Sequence, residues 1–126
     1  MDYRHISPLL LAYVGDAVFD LYVRAKLVRS LRLPVQDVHK KATQYVRAAG
    51  QDAALHLLES QLTETEADIV RRGRNTKSRV PKNAGPAVYR RATGFEALLG
   101  WLYLTGQKAR LEELLAQLTI GEEGKQ

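Results

Sequence analysis

Two acids stand where acids are costly. Glu96 lies in Gly94-Phe95-Glu96-Ala97-Leu98-Leu99-Gly100-Trp101-Leu102-Tyr103-Leu104, the most apolar stretch of the chain, with no cation within three residues on either side. A carboxylate in such surroundings is disfavoured unless it is paired or holds a metal ion. Asp16 poses the same problem, following the apolar run from Leu9 to Val14 and flanked by Gly15, Ala17 and Val18. Glycine and aspartate are both poor mid-helix residues, each costing about 0.5–1 kcal/mol relative to alanine. Gly15 would let a backbone or a ligand come close, and Asp16 would offer a hard oxygen at that spot, the donor type that Mg²⁺ prefers. The residues alone leave blander accounts open: Glu96 as a solvated acid on a narrow polar stripe with Ala92 and Thr93, and Gly15-Asp16 as a helix kink with its aspartate in water.

Other chemistry finds little foothold. Asp20 shares a helix face with Asp16, but Arg24 follows it by four residues in the favourable acid-then-base order, so an ordinary surface pair accounts for it. His5, His39 and His56 are too far apart in sequence for a local zinc or acid–base group. There is no cysteine, which removes disulfides and thiolate metal sites and fits a reducing cytoplasm. Neither a glycine-rich phosphate loop nor a serine-hydrolase elbow is present.

Charge adds a second feature. The net charge is +5, yet between Asp68 and Glu96 there is no carboxylate, while Arg71, Arg72, Arg74, Lys77, Arg79, Lys82, Arg90 and Arg91 fall in that interval. The rest of the chain is net negative by three. The positive charge is therefore a patch suited to a polyanion.

The elements that must position these groups read as helices throughout. With 126 residues the chain is expected to form one domain, spanning 1–126. Ser7-Pro8 predicts an N-cap and first helical residue, with a helix to about Val28. Pro34 opens a helical region toward Leu58 that Gly50 should break in two. Thr63 to Glu66 has the form of a capping box, opening a short helix to about Arg72. Residues 73–86, rich in Gly, Asn, Ser, Pro and cations, predict one long basic loop. A strongly apolar helix follows from Pro86 or Ala87 to Leu104, closed by Gly106, and an amphipathic helix carries Leu111, Leu114, Leu115 and Leu118. A flexible tail is expected over 120–126. No alternating strand pattern or repeat occurs, so the fold class is all-α, and no run is long enough for a membrane span.

The string Leu9-Leu10-Leu11-Ala12-Tyr13-Val14-Gly15-Asp16-Ala17-Val18 resembles the signature helix of the ribonuclease III family, and Phe95-Glu96-Ala97-Leu98-Leu99-Gly100 resembles its second acidic motif. The resemblance covers about Pro8 to Leu118. The loop Arg71-Arg72-Gly73-Arg74-Asn75-Thr76-Lys77 with Val80-Pro81-Lys82-Asn83, and the expectation that no double-stranded-RNA-binding domain follows, narrow it to the mini branch of that family. It implies a helical endonuclease domain that works as a homodimer, needs Mg²⁺, leaves 5′-phosphate and 3′-hydroxyl ends, and matures a ribosomal RNA precursor stem. Carried over by position, Asp16 and Glu96 are the catalytic and metal-binding pair. Leu9, Ala12 and Thr93 stand where fuller members of the family have further acids, which reduces four carboxylates to two. Two carboxylates plus waters and substrate phosphate suffice for one Mg²⁺, so weak binding by the free protein is expected.

The expected function is hydrolysis of double-stranded RNA. Arg71, Arg72, Arg74, Asn75, Lys77, Arg79, Lys82 and Asn83 are expected to meet the RNA, the cations giving salt-dependent affinity and Ser78 and the asparagines hydrogen bonds to sugar or phosphate. Two rivals remain at this point. A non-catalytic RNA-binding or ribosome-assembly module could share the scaffold. A helix-turn-helix DNA-binding protein would need its cations on a recognition helix, and here they crowd a loop.

Overall fold

The computed structural model describes residues 3–77, 79–81 and 85–121. After a single 3₁₀ turn at Tyr3–His5 the chain forms α1 (Pro8–Ser30), α2 (Val35–Val46), α3 (Ala48–Leu58), a second 3₁₀ turn (Glu59–Gln61), α4 (Glu64–Asn75), α5 (Pro86–Leu104) and α6 (Lys108–Leu115). The described residues contain no strand, as an all-α class requires. The starts follow local chemistry. The Ser7 hydroxyl accepts from the Leu9 N–H at 3.2 Å with Pro8 in the first turn, and Thr63 and Glu66 satisfy each other's backbone N–H at 3.1 and 2.9 Å.

Helix α5 is the centre of the molecule, packed against α1, α3, α4 and α6. Its apolar surface is needed on nearly every side, which is why its sequence shows so little amphipathic contrast: Phe95, Ala97, Leu98, Leu99 and Leu102 are all fully buried. Around it, Phe19, Val23, Leu27, Leu55, Leu58, Leu114 and Ile120 complete one core. Phe19 of α1 and Phe95 of α5 meet edge to face, with centroids 5.1 Å apart.

The crossing of α1 and α5 depends on two glycines. A Cβ added to Gly15 would lie 1.7 Å from the Glu96 carbonyl oxygen, and one added to Gly100 would lie 1.9 Å from the Leu11 carbonyl oxygen. Backbones therefore touch, and the pairing of Leu11 with Gly100 and Gly15 with Glu96 runs the two helices antiparallel. Any side chain at either glycine would force them apart.

Four boundaries differ from expectation, the last helix among them: α6 ends at Leu115, so Leu118 lies beyond it. The break between α2 and α3 falls at Arg47, which is extended (φ −71°, ψ 163°), and Gly50 sits inside the first turn of α3 with no room for a Cβ beside the Gln44 and Tyr45 carbonyls. Helix α4 runs past Arg72 to Asn75, so the basic loop starts at Thr76 and not at residue 73, and Pro86 is the first residue of α5. Gly73 marks a helix crossing and not a stop: a Cβ there would be 2.8 Å from the Cα of Gly94 on α5. The Thr76 hydroxyl ends the helix by donating to the Arg72 carbonyl at 2.8 Å. Finally, Ile120 is buried and the Gly121 N–H donates to the Tyr45 hydroxyl at 3.0 Å, so the expected tail is docked at least that far.

Candidate active site

Because Gly15 is pressed on the backbone of Glu96, the next residue along α1 is brought beside the Glu96 side chain. The Asp16 and Glu96 carboxyl groups, eighty residues apart in sequence, lie within hydrogen-bonding reach of each other. They face a cleft of about 380 Å³ lined on the α1 side by Leu9, Ala12 and Tyr13, on the α5 side by Tyr89, Ala92 and Thr93, and on the α3 side by Ala48 and Gln51. Beneath them the Phe19–Phe95 contact anchors both helices one turn or less from each acid.

The electrostatics of the pair are unbalanced. Burial pushes the Glu96 carboxyl up to about 8, the hydrogen bond and negative charge of Asp16 push the same way, and a hydrogen bond from Gln51 pulls it back in part. Glu96 is half-buried while Asp16 is exposed at the cleft. Neither has an arginine or lysine partner among the described residues. Asp20, by contrast, pairs with Arg24 at 3.1 Å, as its spacing indicated. None of the histidines lines the cleft, and His56 lies 3.5 Å from the Asp52 carboxylate on an exposed face.

Leu9, Ala12 and Thr93 all line the cleft, so the departures from the four-acid pattern fall at the site itself. The Thr93 hydroxyl donates to the Tyr89 carbonyl at 3.1 Å. Among the described residues no cluster of three or more metal-ligating side chains occurs. What the site offers a cation is two adjacent hard carboxylates, which fits an ion such as Mg²⁺ that keeps most of its waters and does not fit a closed all-protein cage.

Gln51 was not singled out from sequence. Its Nε2 donates to the Val46 carbonyl at 2.9 Å and to Glu96 Oε2 at 3.0 Å, and it is 2% exposed. The signal was present: Gln51 and Asp52 are two polar residues inside the apolar run Ala48–Leu58, the same anomaly that marked Glu96.

The basic patch is less uniform than its composition suggests. Arg71, Arg72, Arg74 and Asn75 lie on the last turns of α4 and not on a loop. Arg71 pairs with Asp68, and Arg72 donates to the Arg4 carbonyl at 3.3 Å. Arg74, Asn75 and Lys77 join Arg90 and Arg91 of α5 around a second cleft of about 510 Å³. Arg91 is committed to Asp52 through two hydrogen bonds of 2.5 and 3.0 Å, whereas Arg74, Lys77 and Arg90 have no carboxylate partner among the described residues. Arg79 is exposed, and Ser78, Lys82 and Asn83 lie outside the described residues. Arg90, not among the residues expected to meet RNA, lines this cleft beside Arg74 and Lys77. Along α5 it precedes Glu96 by six residues, an axial rise of about 9 Å, so both clefts open along one helix.

Known proteins resemble this chain in sequence and fold. Residues 9–107 match the model of the ribonuclease III domain. The chain is 51% identical to the Mini-ribonuclease 3 of Symbiobacterium thermophilum over 111 residues, covering 87% of this chain and 85% of that protein. It is 46% identical to the Mini-ribonuclease 3 of Enterococcus faecalis over 117 residues, covering 90% and 89%. The crystal structure of a Fusobacterium nucleatum protein superposes with a TM-score of 0.85 at 25% identity, covering 92% of this chain and 95% of that one. With a domain match over most of its length and relatives at this identity, the chain belongs to the ribonuclease III family of endoribonucleases, in its Mini-ribonuclease 3 branch.

Proposed function

We propose that this chain is a Mg²⁺-dependent endoribonuclease that hydrolyses double-stranded RNA, leaves 5′-phosphate and 3′-hydroxyl ends, and acts in the cytoplasm as a homodimer on the stem of a 23S-type ribosomal RNA precursor. The observation that carries the reading is the close pair of carboxylates, Asp16 and Glu96, facing an open cleft with no cationic partner among the described residues.

Asp16 and Glu96 would hold the ion. When bound, Mg²⁺ supplies Lewis-acid polarisation of the phosphate and acidifies water at neutral pH. The chain's own part is geometric: α1 and α5 fix the two carboxylates on a close helix crossing at the open cleft. Arg74, Lys77 and Arg90 are suited to phosphates beside the cleft, and their attraction is independent of base sequence. Duplex RNA is recognised mainly by shape and backbone, so sequence preference should be modest.

A homodimer suits the cutting of two strands, since a two-fold axis gives one site per strand. Leu10, Tyr13, Leu21 and Val28 are exposed along one side of α1, an unusual row of large apolar groups that supports a self-association face.

The test compares a long RNA duplex, a DNA duplex of matching sequence and a single-stranded RNA, each with and without Mg²⁺, using the wild type, Asp16→Asn and Glu96→Gln. The expected result is cleavage of the RNA duplex only, dependent on Mg²⁺ and lost in both variants while RNA binding persists. Unimpaired cleavage by both variants would overturn the assignment of the site. A wild type that binds the RNA duplex but leaves it intact with Mg²⁺ would make the chain a binding module.

A further inference from the structure

Gln51 is buried to within 2% of full enclosure, and the use of its amide is unusually lopsided. The Val46 carbonyl at 2.9 Å can only accept, so the atom facing it must be the amide nitrogen. The second N–H of that nitrogen goes to Glu96 Oε2 at 3.0 Å, which exhausts its donors. The other end, Oε1, is buried without a hydrogen-bond partner, and it is the one such buried side-chain atom among the described residues. Native interiors satisfy nearly all buried polar atoms, so an orphan acceptor marks an amide whose orientation is set by what its donors hold, and one of those two acceptors is Glu96. A methionine or leucine here would remove the orphan acceptor, but it would also forgo both bonds that Nε2 donates.

The same residue lines the cleft with Asp16 and Glu96. Its neighbour Asp52 grips Arg91 of α5 at 2.5 and 3.0 Å, so two adjacent residues of α3 clasp α5 at positions 91 and 96. A divalent cation brings to the cleft the positive charge that the carboxylates need.

We infer that Gln51 is a positioning residue of the site: the hydrogen bond from its Nε2 holds the Glu96 carboxylate beside Asp16 in the orientation that a shared divalent cation would need. The inference rests on the cation reading given above, and its test separates the two.

Mn²⁺ binding by the RNA-free protein, followed through the electron-paramagnetic-resonance signal of free Mn²⁺, is compared for the wild type, Glu96→Gln and Gln51→Met, together with cleavage across a range of Mg²⁺ concentrations. In Gln51→Met the Mn²⁺ dissociation constant and the Mg²⁺ concentration for half-maximal rate should rise about 10- to 100-fold, the range for loss of a group that orients a metal ligand. The RNA KM at saturating Mg²⁺ and the melting temperature should stay close to wild type, which a merely structural role would not combine with a raised Mg²⁺ requirement. A folded Gln51→Met with wild-type Mn²⁺ affinity overturns the inference. If that variant does not fold, the side-chain amide resonances of Gln51 in the wild type decide. They should shift on Mg²⁺ addition and stay put in Glu96→Gln, and silence while Mg²⁺ binds overturns the inference. A wild type whose Mn²⁺ binding equals that of Glu96→Gln overturns the cation reading itself, and this role of Gln51 with it.

Discussion

Three carboxylates are drawn into the protein interior, and they are treated in opposite ways. Glu66, 3% exposed, accepts from Arg110 at 2.9 and 2.8 Å and also closes the capping box of α4. Asp52, 9% exposed, has the two bonds from Arg91. In both cases hydrogen bonds from the arginine hold the carboxyl below its ordinary range despite burial. Glu96 has no such partner among the described residues: it faces Asp16 and is pushed up to about 8. The first two acids are electrostatically finished and tie helices together. The third is unfinished, and an unneutralised pair of acids at an open cleft is what separates a site from a strut.

The contrast can be broken most sharply through activity. Glu96→Gln or Asp16→Asn should lower the single-turnover cleavage rate by about 100- to 1000-fold or more, the scale on which loss of a group stabilising developing charge is felt. Asp52→Asn and Glu66→Gln should leave that rate within about threefold, because neither acid faces the substrate. If Asp52→Asn were as damaging as Glu96→Gln in protein that remains folded, the division would be wrong.

Stability should show the reverse ranking, and with opposite signs for one chemical change. Glu66→Gln leaves the Arg110 guanidinium opposite an amide and should cost about 2 kcal/mol by urea unfolding. This falls below the range for a fully enclosed pair, since Arg110 is 23% exposed and can recover water. Glu96→Gln in metal-free protein should instead stabilise at pH 8, on the order of 1–2 kcal/mol, by removing a charge that burial and Asp16 both disfavour. The linkage is direct. Between about pH 4.5 and 8 the folded wild type binds the Glu96 proton while the unfolded chain has released it, so wild-type stability falls as pH rises through that window. In Glu96→Gln the fall should disappear. Unfolding of metal-free wild type with no loss between pH 5 and 8 relative to Glu96→Gln would contradict the raised Glu96. Saturating Mg²⁺ should erase the same slope in the wild type, because the ion favours the charged form that the fold disfavours.

Much of this was legible before any coordinates. Asp16 and Glu96 stood out because charge amid apolar residues and glycine inside a helix are locally unfavourable, and local costs can be read from a string. The role of Gly15 was legible only in kind: that a close approach occurs follows from the residue, but that α5 makes it at Glu96 requires the fold. Gly50 and Gly73 misled for the same reason, since a glycine that ends a helix and one that admits a neighbouring helix look alike in sequence. Gln51 was overlooked because a glutamine is ordinary on a helix surface, and only tertiary packing buries it. The basic patch was visible as composition, yet its division into structural and free cations depends on partners such as Asp52, which lies 39 residues from Arg91.

That division gives the smallest effect and a fine test of the comparison. If a carboxylate partner marks a structural charge, then Arg90, without a carboxylate partner among the described residues beside the second cleft, and Arg91, spent on Asp52, should differ although they are adjacent in sequence. Removing one cation that meets a phosphate should reduce the slope of log affinity against log salt by about one. Arg90→Ala should therefore flatten the salt dependence of RNA-duplex binding by that amount while leaving stability nearly unchanged. Arg91→Ala should leave the slope near wild type and lower stability by about 1–2 kcal/mol, because it strands Asp52 where α3 packs on α5. Filter binding from low to moderate salt, with Asp16→Asn in the background to prevent cleavage, measures the slopes, and urea unfolding measures the stabilities. A reversed pattern, with Arg91 setting the slope, would mean that Asp52 releases its arginine to the RNA and that the paired charges are held in reserve for binding.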